Sequence, residues 1–70
     1  MAEASAEFTV RGVESADEAA RIEAELAEVD GVMGSTVDPD GGAAEVHFDV
    51  DLLAEERIRA TVRELGYEVE

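Results

Sequence analysis

The sequence predicts an α+β sandwich of split βαβ type: one four-stranded antiparallel sheet with two helices on one face. Three observations carry that prediction. Two stretches alternate apolar and polar residues, around Phe8 and Val10 and again around Ala44, Val46 and Phe48. Two others repeat apolar residues at helical spacing: Ala19, Ile22, Leu26 and Val29, then Ile58, Val62 and Leu65. Glycine-bearing breaks separate them, and seventy residues leave room for one domain.

The first strand is expected over residues 7–11, with Phe8 and Val10 inward, and Gly12 ends it. Residues 1–6 carry neither a basic nor an apolar signal region and are expected to be a disordered N-terminus before a domain at 7–70. Ser15 reads as the N-cap of helix one. Glu18, three residues on, completes a capping box: the Ser15 hydroxyl takes the Glu18 amide and the Glu18 carboxylate reaches back to the Ser15 amide. Asp17 and Glu18 also suit the positive end of the helix dipole. An Asp17–Arg21 pair is expected at i,i+4. Asp30-Gly31 closes the helix. Residues 32–38 form a weaker strand diluted by Gly34, in which Met33 is expected to fill a gap in the core.

Pro39-Asp40-Gly41-Gly42 is a strong turn signal. It makes a hairpin with residues 43–49, where Ala44, Val46 and Phe48 point inward and Glu45, His47 and Asp49 outward. Helix two is expected from about Leu52 to Leu65, with Asp51 as its N-cap. Glu55 and Glu56 lie near its start and Arg59 and Arg63 toward its end, which complements the dipole. Gly66 is the expected left-handed residue after the helix, and Tyr67–Glu70 is the last strand.

Composition narrows the function classes. Nineteen acids face five bases, all arginine, for a formal charge of -14. Phosphate contacts need clustered cations, so neither nucleic acid nor an anionic membrane surface is an expected partner. No apolar run approaches the roughly 20 residues that span a bilayer. The acids are spread along the chain rather than blocked, which reads as adaptation to a salty, halophilic cytoplasm. Twelve of the hydrophobic residues are alanine, so the core is small. A domain this size buries only roughly 60% of its unfolded surface. With no cysteine, neither disulfides nor thiolate-bound metal can reinforce it.

Several segments, in order, resemble the heavy-metal-associated domain, the fold of small copper chaperones and of copper-pump N-terminal domains. Phe8-Thr9-Val10-Arg11-Gly12 looks like the family's first strand entering its metal loop. Gly12-Val13-Glu14-Ser15-Ala16-Asp17-Glu18 is laid out like the Gly-Met-x-Cys-x-x-Cys loop itself. Val29-Asp30-Gly31-Val32 is similar to the Pro-Gly-Val turn, Gly42 through Phe48-Asp49 to the third strand, and Leu65-Gly66-Tyr67-Glu68 to the Leu-Gly-Tyr end of helix two. The resemblance implies a ferredoxin-like βαββαβ sandwich and, in the family, copper handling by thiolate exchange. Here Val13 stands for the family's Met, and Ser15 and Glu18 stand for the two cysteines. Copper(I) is a soft ion that needs thiolates, and a hydroxyl with a carboxylate cannot hold it in linear two-coordinate form. Tyr67 stands where bacterial members place a residue beside the ligands, and without those ligands it has nothing to tune.

The expectation is therefore a divergent, non-enzymatic member without a thiolate copper site and without a cofactor, acting as an accessory metal-handling or protein-interaction module in the cytoplasm. Its interaction surface would be Val13, Glu14, Asp17, Glu18 and Tyr67, and its acids would favour a basic protein partner. The protomer is expected to be a monomer or a weak homodimer. Two alternatives come from other classes. One is a hard-cation binder holding Mg²⁺ or Ca²⁺ through Ser15 and Glu18 with Glu14 and Asp17, and His47 as a further ligand; the loop lacks Ca²⁺-loop spacing and its glycine pattern, and a helix cap with solvated acids is the simpler explanation. The other is a structural or sensing module that homodimerises through an exposed sheet edge. His47 reads as an exposed strand residue weakly paired with Glu45 and Asp49. No arrangement of Ser, His or paired acids suggests catalysis.

Overall fold

The computed structural model describes residues 2–70. In chain order the elements are β1 (Glu3–Arg11), α1 (Ala16–Ala27), β2 (Val32–Val37), β3 (Ala43–Asp49), α2 (Glu55–Glu64) and β4 (Glu68–Val69). The strands form one antiparallel sheet in the order β2-β3-β1-β4. This is the expected ferredoxin-like sandwich. The period-2 residues Ala6, Phe8 and Val10 of β1 and Ala44, Val46 and Phe48 of β3 are buried on one face. They meet the helical stripes Ala19, Ile22 and Leu26 of α1 and Ile58 and Val62 of α2 in a single cluster. The hydrophobic term is confined to this one layer, because the other sheet face is polar.

Four differences from the sequence reading have local causes. First, the segment expected to be disordered is largely strand: Glu3–Ala6 pair with β3 from Asp49 to Val46, and the Val50 amide donates to the Ala2 carbonyl at 2.8 Å. Ala6 is buried beneath the helices. Alanine has poor strand propensity, so the alternation Glu3, Ala4, Ser5, Ala6 carries little signal until β3 supplies a partner. Met1 lies outside the described residues. Second, Met33 is 55% exposed rather than in the core. The β2–β3 register shifts between Val32 and Gly34, and the bulge takes Met33 out of the inward alternation.

Third, α2 starts three residues late. Its N-cap is Ala54, without a side-chain cap. Fourth, Asp49, expected to face outward, is only 7% exposed. The two are linked. The Asp49 carboxylate accepts the Asp51 amide at 2.9 Å, and its carbonyl accepts the Leu52 and Leu53 amides at 3.1 and 3.0 Å. These bonds wind residues 49–53 into a turn of their own before the helix can begin.

One edge of the sheet is partly covered. The Glu23 carboxylate on α1 accepts the Val37 amide of edge strand β2 at 2.6 Å, and the Glu23 carbonyl accepts the Ser35 hydroxyl at 3.3 Å. That takes a backbone donor which pairing with a second copy would need. On the open face the register sets Glu7 directly opposite Glu45. Like charges facing across a strand pair destabilise it. Glu7→Lys is therefore expected to raise stability by roughly 0.2–1 kcal/mol in dilute buffer, with the gain shrinking in molar salt as screening grows. Paired thermal melts at low and high salt check this; a gain equal in both would show that the effect is not electrostatic.

Candidate functional site

The segment between β1 and α1 is held by its own side chains. Ser15 is extended, as an N-cap should be, and its Oγ accepts the Glu18 amide at 3.2 Å. Its carbonyl accepts the Ala19 amide at 3.1 Å, the first turn of α1. The cap is therefore the one expected, but the box closes differently. Glu18 Oε2 accepts the Glu14 amide at 3.1 Å rather than the Ser15 amide. Glu18 Oε1 accepts the Tyr67 hydroxyl at 2.8 Å, from a residue 49 positions away. Sharing the carboxylate with Tyr67 draws it back over Glu14. The expected Asp17–Arg21 ion pair is not formed among the described residues.

Tyr67 thus has a partner in Glu18, which no local pattern in the sequence predicts. Its ring lies over Gly12, with Cδ1 3.6 Å from where a Cβ would sit. The loop, the first turn of α1 and the start of β4 are tied together through one carboxylate. The bond to Glu18 is the main cause of a raised Tyr67 pKa. Desolvation and the charges of Glu18 and Glu14 add to it, and Arg21 opposes it. Losing the phenolic proton would leave two negative oxygens in contact.

The linkage has a definite sign. The folded-state pKa lies above the ordinary tyrosine value of 10.0, so the contribution is fully present below that value. It is lost as pH rises through the raised folded pKa, because the unfolded state gives up its proton first. Tyr67 is the only tyrosine and there is no tryptophan, so tyrosinate absorbance follows this one group. Glu18→Gln is expected to lower the titration midpoint toward the unperturbed range. An unchanged midpoint would mean that the hydrogen bond does not control the phenol.

Of the five residues expected to form an interaction surface, Glu14 and Asp17 are exposed, while Val13, Glu18 and Tyr67 are half-buried. Val13 and Tyr67 pack against the core. The donors at the two family ligand positions are hard oxygens already engaged in hydrogen bonds, so they do not fit a soft ion. Among the described residues, no group of three or more His, Asp or Glu side chains is gathered as a metal ion would require. The three acids of the loop do not converge, because Glu18 turns toward Tyr67 while Glu14 and Asp17 stay in solvent.

His47 sits on the open sheet face, away from this loop. Its Nδ1 is 3.0 Å from Ser5 Oγ and 3.9 Å from Glu3, and its Nε2 is 3.7 Å from Glu45. Ser5 and Glu3 take the place expected for Asp49, which the β3–α2 turn has drawn in. No helix among the described residues is long and apolar enough to cross a membrane.

The profile of the heavy-metal-associated domain family matches residues 7–68. Several solved structures share the whole fold. A copper-binding domain from HMA7, a P-type ATPase, is 32% identical, with 94% of this chain and 89% of that chain covered and a TM-score of 0.89. The N-terminal domain of a potential copper-translocating P-type ATPase from Bacillus subtilis, solved in its Cu(I)-loaded state, is 28% identical, with 100% and 86% covered and a TM-score of 0.87. A putative copper-ion-binding protein from Bacillus anthracis str. Ames is 26% identical, with 99% and 97% covered and a TM-score of 0.91. A search of curated proteins finds no match. With its order of elements, its loop and a profile match across most of its length, the chain belongs to the heavy-metal-associated domain family.

Proposed function

We propose that this protein is a non-enzymatic interaction module of the cytoplasm that keeps its family's docking loop and has given up thiolate metal transfer. The observation that supports this is the bonding of Glu18. The carboxylate at the second ligand position bridges the Glu14 amide and the Tyr67 hydroxyl, so the loop is held in shape by hydrogen bonds. The relatives named above as copper-binding suggest the partner class: a soluble domain of a P-type ATPase or a comparable protein, presenting basic side chains to Glu14 and Asp17.

Two measurements test the two halves of this reading. Anaerobic titration of the natural protein with Cu(I) against a competing chelator is expected to show no uptake; tight one-to-one binding would refute the loss of metal transfer. Titration of isotope-labelled protein with the soluble domains of a P-type ATPase from the same cell is expected to move the amides of Val13, Glu14, Asp17, Glu18 and Tyr67 at low salt. Shifts confined to other residues would refute the docking loop.

A further inference from the structure

Large apolar side chains exposed among the described residues are Leu52 at 69%, Met33 at 55% and Val50 at 46%. Val50 and Leu52 are two residues apart, and the fold brings the distant Met33 to the same end of the molecule. The sheet register fixes this. Glu3 pairs with Asp49 and Val32 with Phe48, so the start of β1, the start of β2 and the end of β3 share one pole. Gly31 belongs to that pole too, since a Cβ there would meet Leu53 at 2.9 Å and Leu52 at 3.2 Å. The Gly12–Glu18 loop lies at the other end of β1, eight residue steps or roughly 26 Å away.

A groove of about 610 Å³ runs from this pole between the end of α1 and the start of α2. Val29, Leu52 and Leu53 contribute its apolar lining, Leu52 being the one of the three exposed residues that reaches it, and the acids Glu25, Glu28, Asp30 and Glu64 outnumber the base Arg57 along it. Apolar side chains rimmed by charge are a usual form of protein docking site. The charge also selects the occupant. A second copy would bring another fourteen net negative charges to an acidic rim.

We propose that the pole formed by Met33, Val50 and Leu52, with the groove behind it, docks a basic, leucine-bearing segment of another protein. The apolar side chain seats against Leu52 and Val29, and flanking Arg or Lys residues meet Glu25, Glu28 and Asp30. This face is separate from the Glu14–Glu18 loop and does not depend on the role given to that loop.

The test uses isotope-labelled full-length protein and a short synthetic peptide with leucine and arginine at helical spacing. Amide shifts confined to residues 28–33 and 50–57 are expected. Leu52→Ser, a change at a side chain 69% exposed, is expected to weaken binding by about tenfold or more, the worth of one buried leucine side chain. Three results overturn the proposal. Equal binding of a peptide with serine for leucine would show charge attraction alone. Shifts centred on residues 13–18 would place the peptide on the loop. Concentration-dependent shifts at residues 28–33 and 50–57 without peptide would make a second copy the occupant.

Discussion

Replacing Gly42 by alanine is expected to remove most or all of the stability of this domain. Gly42 has φ +76°, a left-handed conformation that costs an alanine about 1–2 kcal/mol by itself. The larger cost is a collision. A Cβ on Gly42 would lie 2.0 Å from the Val10 carbonyl oxygen and 3.0 Å from its carbon. Neither atom can swing aside, because both are backbone of the central strand β1. The approach is close because the Val10 amide donates to the Gly42 carbonyl at 2.7 Å, while the Gly42 amide donates to Asp38 at 2.8 Å and the Ala43 carbonyl holds the Asp38 amide at 2.8 Å. Relieving the clash means breaking the β1–β3 junction at its tightest point. We expect a loss of about 4 kcal/mol or more, the range reached only when a mutation strains the backbone or disrupts the core. A seventy-residue domain has only about 4–10 kcal/mol in total. Gly41→Ala is the control: nothing lies within 4 Å of its Cβ position and its φ is not positive. Denaturant unfolding of the two variants should give a near-unfolded chain for the first and a change within about 0.5 kcal/mol for the second. Similar stabilities would overturn the argument.

The same contrast shows how far the sequence could be read. Pro39-Asp40-Gly41-Gly42 announces a turn, but nothing in the residue types says which glycine the next strand presses against. Periodicity located the core because Ile22, Leu26, Ile58 and Val62 repeat at helical spacing and Phe8, Val10, Val46 and Phe48 at strand spacing, and all eight are buried. It failed where side chains are small or the backbone departs from regularity. Ala4 and Ala6 gave no strand signal, the bulge at Met33 reversed its face, and the Asp49 turn delayed α2 past Asp51 and Leu52. Each failure is a tertiary interaction overriding a local preference.

At the candidate site, the Ser15 cap was legible because both partners lie within one helical turn. The Glu18–Tyr67 bond was not, since no local pattern links residues 49 apart. The signal available was the resemblance, which sets both residues beside the same loop; what it lacked was the chemistry of the replacement. A carboxylate in place of a thiolate can still accept two hydrogen bonds, from an amide and a phenol. The position therefore has a structural task that needs no metal.

The double variant Ser15→Cys with Glu18→Cys is expected to bind one Cu(I) per chain in an anaerobic competition titration where the natural protein binds none. The two positions are the N-cap and the third residue of α1, so their side chains emerge on one face of the first turn and can reach a common ion. The positive end of the helix dipole stabilises thiolates there. Charge also balances: two thiolates carry two negative charges and a bound Cu(I) returns one, leaving the single negative charge that Glu18 now supplies. The structural cost is bounded. Loss of the Ser15 cap is worth about 1 kcal/mol, and the Tyr67 hydroxyl, half-buried at the surface, can turn to water. Tyrosinate absorbance then serves as an internal check, because removing Glu18 takes away the main cause of the raised Tyr67 pKa. A double variant that stays folded, titrates Tyr67 in the ordinary range and still takes up no Cu(I) would show that the backbone of this loop, and not only its two side chains, has left metal binding behind.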